Sequence, residues 1–419
     1  MNRIRSCLLL ALCVPAIALG AADNPLASAN NAFALDLYGQ LRAQDGNLFF
    51  SPYSISTALA MIYAGARGET AAQMAKVLYF QDPPKRILAG FNLLETRMNQ
   101  TRLPGQTADS RWWVRLLGGR SDNVWSKARA TLTIANSLWP HKKYGLLPDY
   151  RELCEKRCGA TIVPLDYATA PEDSCKTINN WVEHKTNGKI TSAIQPDAVG
   201  ALTRLVLVNV IYFKGTWAKQ FEHTATRNEP FHIAATKTVE VPMMHGGWHF
   251  RYAENGELQM LDLPYRGDDF SMIVLLPRKR DGLADLEAKL TIPNLTAWIA
   301  NLRERSVEVV FPKFKITAQF GLGDKLAALG MTDAFTDKAD FSGMDGQRDL
   351  YLNHVIHRTF VNVDEEGTEA TALNIIWIVA GIETAPPPVF RADHPFLFLI
   401  RDNHSGSILF LGRVTDPTK

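Results

Sequence analysis

The chain has 419 residues, 46% hydrophobic and 21% charged, with a formal net charge of +2. This is ordinary globular composition for a chain long enough to bury a large core. So small a net charge argues against a general nucleic-acid surface and against a supercharged one.

Residues 1–22 read as a targeting leader. Arg3 and Arg5 make a basic start, and Cys7 to Leu19 is an apolar run too short to span a bilayer. Small residues Gly20, Ala21 and Ala22 offer cleavage before Asp23. Leu12 ahead of Cys13 argues against a lipid anchor there. The expectation is an exported, soluble chain, secreted or periplasmic, with no membrane span.

Asn31 to Leu41 has helical Ala/Phe/Leu spacing. Ser51-Pro52 then opens a helix to Ala64, with Ser suited to the cap and Pro to the first turn. Gly68 to Val77 reads as another helix, and Leu132 to Trp139 alternates as a strand. Glu172 to Lys185 is helical and stops at Asn187-Gly188. Leu205 to Phe213 is a nearly continuous apolar run, the pattern of a strand buried on both faces. Strands follow at Gln259–Leu263, Phe270–Leu276, Val307–Phe311 and Thr359–Val363, with a helix at Gly323–Gly330. Phe396–Ile400 and Ile408–Gly412 form a last hairpin across Asn403-His404-Ser405-Gly406. Helices and strands mix without a βαβ period, so the class is α+β, and no linker divides residues 23–419.

Beyond the leader the cysteines are Cys154, Cys158 and Cys175. Cys154 and Cys158 lie four apart in a helical run, where disulfide geometry is poor. Three reduced thiols, or one disulfide using Cys175, are the two readings. No His pair accompanies them, so neither a metal nor another cofactor is expected. There is no Gly-x-Ser-x-Gly elbow and no His-Glu-x-x-His. Gly321-Leu322-Gly323 lacks the third glycine of a dinucleotide fingerprint. His354 and His357, three apart in a strand, point to opposite faces. No catalytic set is present, and the expectation is a protein that is not an enzyme.

The segment from Glu365 to Pro388 is the most informative. Thr368, Ala370, Ala372, Asn374, Ile376, Ile378 and Ala380 form one alternating row, small or apolar except Asn374. That is a strand pattern with one buried face. Yet the segment runs into Gly381 and Pro386-Pro387-Pro388, which reads as an exposed loop. A stretch fit for both states suits a moving part.

Three further motifs carry a family resemblance. They are Asn47-Leu48-Phe49-Phe50-Ser51-Pro52-Tyr53-Ser54-Ile55-Ser56, Leu207 to Trp217 (LVNVIYFKGTW), and Phe390 to Phe398 with Leu409 to Arg413. From about Asn31 to Pro417 the chain resembles the serpins, the serine protease inhibitor superfamily. The resemblance implies about nine helices around three mixed β-sheets, with a reactive-centre loop at 367–388. It implies a suicide substrate: a protease cleaves the loop, which enters the main sheet as a new strand. Hinge residues would be Glu365, Gly367, Thr368, Ala370 and Ala372. Trp217, Lys313 and Glu365 would form the breach, where the loop enters. Ser51, Ser54, Asn209 and His357 would form the shutter, a buried polar cluster under the middle of the sheet.

Counting from Glu365 puts the reactive bond at Gly381-Ile382. Counting back from Phe390 gives Ile382-Glu383 or Glu383-Thr384. The bait suits elastase- or subtilisin-like serine proteases, with papain-like cysteine proteases as a second class, acting on a monomer. The alternative is a non-inhibitory serpin, a chaperone or small-ligand carrier. Residues 102–130, with Arg111, Arg115 and Arg120 around Trp112, Trp113 and Trp125, depart from the family as a surface insertion. Some serpins bind glycosaminoglycans nearby, so a polyanion patch is the sharper reading of it.

Overall fold

The computed structural model describes residues 24–100, 130–186, 188–368 and 386–419. The leader 1–22, the insertion apart from Ala130, Ala370, Ala372 and every candidate reactive-bond residue lie outside them. Among the described residues there are ten α-helices and fifteen strands.

One sheet holds six strands in the order β10 (Phe314–Gly321), β11 (His354–Asp364), β12 (Gly367–Thr368), β4 (Leu205–Thr216), β2 (Thr131–Pro140) and β3 (Thr161–Ile162). The other runs β1 (Leu48–Phe50), β15 (Ile408–Val414), β14 (Phe396–Asp402), β8 (Phe270–Pro277), β7 (Leu258–Pro264), β6 (Lys237–Glu254), β9 (Arg303–Pro312) and β13 (Val389–Arg391), with β5 (Arg227–Ala234) on β6. Hydrogen bonding thus joins two of the three expected sheets. The long strand β6 pairs with β5 and β9, then with β7 at its far end.

The strand buried on both faces is β4. Its Leu207, Ile211 and Phe213 enter the main core. Its Val206, Val208 and Val210 enter a second cluster with Trp139, Ile356 and Cys175, Ile178 and Val182 of helix Pro171–Lys185. That helix lies over one end of the six-stranded sheet. Two apolar faces on one strand account for its unbroken hydrophobic run.

Most expected elements extend by a few residues. The first helix spans Pro25–Leu41, longer at its start because the Asn24 side chain accepts from the Leu26 and Ala27 amides and Pro25 sits in the first turn. Strand β11 begins at His354, five residues before the expected start at Thr359. Cys154, Cys158 and Cys175 are all free thiols. Burial pushes the Cys154 and Cys158 thiols up to about 12, so neither is a ready nucleophile. No described helix is long and apolar enough to cross a membrane, and no described cluster of three or more His, Cys, Asp or Glu could hold a metal.

Candidate functional site: a strand boundary that is closed below and occupied above

The site is the boundary between β4 and β11. Over most of its length these strands pair directly and in parallel, from His354↔Val206 to Phe360↔Tyr212. Above that they diverge and β12 lies between them. Thr368 pairs with Val363 and Gly215, and Gly367 with Asp364 and Thr216. Only glycine fits at position 367: its φ is +149°, and a Cβ would lie 2.0 Å from the Gly215 carbonyl oxygen. Gly367 and Thr368, the latter the first member of the alternating row, therefore already form part of the sheet.

Thr368 is 1% exposed. Its hydroxyl lies 2.7 Å from the Tyr265 hydroxyl, which satisfies both buried groups. Tyr265 stacks on Trp217, with centroids 4.6 Å apart and planes within 15°. The Trp217 indole N–H donates to the Asp364 carbonyl at 3.0 Å, and its backbone N–H to the Glu366 carbonyl at 2.9 Å. Trp217 so fastens the turn that leads into β12.

Glu365 points into the body. Lys313 Nζ lies 2.7 Å from its Oε2, and Thr226 Oγ1 donates to its Oε1 at 2.8 Å. The carboxylate is only 2% exposed although Lys313 is partly exposed, so this pair is more sheltered than an ordinary surface pair. Burial pushes the carboxyl up; Lys313 and Thr226 outweigh it and hold it below its usual range. Burial and the neighbouring Asp364 push Glu366 the other way. His223 bridges the two carboxylates at 3.4 and 3.7 Å.

Beneath the closed part of the boundary lies the polar cluster. The Ser51 backbone N–H donates to His357 Nε2 at 3.0 Å, so the ring proton sits on Nδ1 and is donated to Asn209 Oδ1 at 2.8 Å. Ser54 Oγ donates to the same Oδ1 at 2.8 Å. Asn209 Nδ2 donates to the Ser54 carbonyl and to Asn136 Oδ1, at 3.1 and 2.6 Å. Ser51 Oγ caps its helix by accepting from the Ser54 amide and donates to the Leu409 carbonyl at 2.6 Å. All four expected shutter residues meet, joined by Asn136. The cluster ties the helix Pro52–Gly65 to four strands, β2, β4, β11 and β15, directly beneath the β4–β11 boundary.

Asn136, Tyr265, Thr226 and His223 were not singled out in the sequence. Asn136 had a local signal, as the polar member of the core-facing row Leu132, Ile134, Asn136, Leu138. The other three are marked only by tertiary contacts. His354 lies on the opposite face from His357, as its spacing requires.

Complete burial pushes His357 down to about 3. The folded state therefore stays neutral where the unfolded chain, near 6.5, takes a proton. Stability from this source is intact above pH 6.5 and is lost as pH falls toward 3. Between pH 7 and 4.5 it should remove about 2–3 kcal/mol. Denaturation midpoints at both pH values, for the native chain and His357→Gln, check this. Equal acid losses in the two would show that His357 does not titrate on unfolding.

The sequence pattern of the serpin (serine protease inhibitor) family matches residues 28–417. The leukocyte elastase inhibitor of Bos taurus is 39% identical over 402 residues, covering 94% of this chain and 99% of that one. Among solved structures, uncleaved ovalbumin superposes with a TM-score of 0.80 at 29% identity, covering 94% of this chain and all of the other. Human thyroxine-binding globulin complexed with its ligand gives 0.79 at 29% identity, over 94% and 99%. The chain belongs to the serpin family.

Proposed function

We propose that this chain inhibits serine proteases as a cleaved-and-inserted substrate, with elastase- or subtilisin-like targets. The observation that carries the reading is β12: Gly367 and Thr368 sit hydrogen-bonded between β4 and β11, aligned with the boundary that a longer strand would have to open. The residues that follow on the buried row, Ala370 and Ala372, are small enough to continue it. The likeness to a leukocyte elastase inhibitor agrees with a small or aliphatic bait.

In this mechanism the protease serine attacks the Gly381 carbonyl, the bond to Ile382 breaks, and the new amine leaves with the C-terminal fragment. The acylated segment then extends β12 down between β4 and β11. His357 and Asn209 lie across that path, so their hydrogen bond breaks and re-forms as the strands part. Helix Pro171–Lys185, packed over the same sheet, must also yield. The bound protease is carried along and its active site distorted; losing even one oxyanion donor slows deacylation by about 10²–10³. Glu365, Lys313 and Trp217 hold the upper end, Ser51, Ser54, Asn209 and His357 the middle. Residues 1–22 supply export, so the targets are extracellular or periplasmic. Papain-like cysteine proteases, which also form acyl-enzymes, are a second target class.

Incubation with elastase should give a complex stable in SDS and release a C-terminal peptide starting at Ile382, read by mass spectrometry. Cleavage without any complex would favour a non-inhibitory serpin, the carrier or chaperone reading. Neither Arg nor Lys occurs between Gly367 and Phe390, so trypsin should not be trapped. Gly381→Arg should create trypsin trapping. If Ile382→Arg does so instead, the bond lies one residue later.

A further inference from the structure

Away from the β4–β11 boundary, β6, β7, β9 and helix Ile292–Ala300 enclose an open cavity of about 350 Å³. Its floor is apolar: Tyr252, Leu258 and Met260 are buried and Trp298 partly so. Its rim is basic. Arg303 and Arg305, two apart on β9, project to the same side of the strand.

Both guanidinium groups have spare donors. Arg303 Nη1 donates to the Ala300 and Leu302 carbonyls at 2.7 and 2.9 Å, which holds the group in place. Its other nitrogens have no partner among the described residues. Arg305 lies over the Tyr252 ring, 5.8 Å from its centroid, and makes no hydrogen bond or close ion pair among the described residues. The carboxylate in the wall, Glu254, accepts from Tyr252 Oη at 2.8 Å and from Arg278, and feels the Arg305 charge at longer range, which leaves one cationic charge in the lining unbalanced. The cavity is therefore net positive, with oriented donors above an aromatic and aliphatic floor.

We infer that this cavity binds a small amphipathic anion, an aromatic or aliphatic body bearing one carboxylate or sulfonate. The body lies against Trp298, above the buried Tyr252 and Met260, and the anionic group accepts from Arg303 and Arg305. The volume suits a compact ligand at the lower end of small-molecule sites. Two guanidinium forks recognise a planar or tetrahedral oxyanion better than two ammonium groups would. The inference stands independently of the inhibitory reading, because none of these residues touches β12 or the polar cluster.

The test uses 8-anilinonaphthalene-1-sulfonate and its uncharged analogue N-phenyl-1-naphthylamine, followed by fluorescence with the full chain. The anion should bind saturably with one site per chain and more tightly than the uncharged analogue. Arg305→Ala and Arg303→Ala should each weaken the anion about tenfold while leaving the analogue unchanged. Arg305→Glu should abolish anion binding; being exposed, it should not disturb folding. The stoichiometry of elastase trapping should be the same in all these variants, so a failure here is separable from a failure of the inhibitory mechanism. No saturable anion binding, or anion binding unchanged in Arg305→Glu, would overturn the inference.

Discussion

Chain cleaved between Gly381 and Ile382 should melt far above the intact chain. Intact, only Gly367 and Thr368 of the alternating segment are paired within the six-stranded sheet among the described residues. After cleavage the residues from Thr368 to Gly381 can pair on both sides and bury one row. Each paired residue adds on the order of 1 kcal/mol net. Unfolding entropy is about 2.1 cal/mol/K per residue, so over 419 residues each kcal/mol raises the melting point by about 1 °C. A rise of roughly 10–20 °C is expected, measured by calorimetry on intact and elastase- or subtilisin-nicked protein. The same gain means that the intact fold is held by a barrier rather than by the lowest free energy. Equal melting points would remove the driving force on which trapping depends.

Thr368→Arg should convert the inhibitor into a substrate. The site around Thr368 is closed: the residue is 1% exposed and its hydroxyl is matched to Tyr265. An arginine there must either bury an unpaired charge, at a cost of several kcal/mol, or leave the sheet. In the second case β12 is undone, and each insertion has to begin from a displaced hinge. The acyl bond is then hydrolysed before the protease is distorted. Moles of inhibitor consumed per mole of elastase blocked should rise at least tenfold, with cleavage itself still rapid. Thr368→Ser, which keeps the hydroxyl, should stay close to the native value. Full inhibition by Thr368→Arg would mean that this residue does not enter the sheet during trapping.

Much of this arrangement was legible in the chain. The period of the apolar residues, with the capping residues, located about half of the described helices and strands, because burial of one face imposes that period whatever lies against it. The unbroken run Leu205–Phe213 was enough to require covering on both sides, and the structure supplies a core on each. The family motifs picked out Ser51, Ser54, Asn209, His357, Trp217, Lys313 and Glu365, and these residues do assemble into two clusters.

Other features came only with tertiary structure. A hydrophobic pattern states that a face is buried but not against what. It could not show that Lys237–Glu254 is one continuous strand joining two sheets. Nor could it show that Tyr265 meets Thr368, or that Asn136 completes the cluster of Asn209 and His357. Charge alone does not tell whether Glu365 and Lys313 meet at the surface or under cover. Burial of the Glu365 carboxylate, with Thr226 taking its second oxygen, makes it an anchor of the turn that leads into β12. The physical reason is common to all of these. Local sequence determines backbone periodicity through short-range sterics and solvent exposure, whereas hydrogen-bond satisfaction of a buried polar group depends on partners far along the chain. Only the packed fold decides which partners those are.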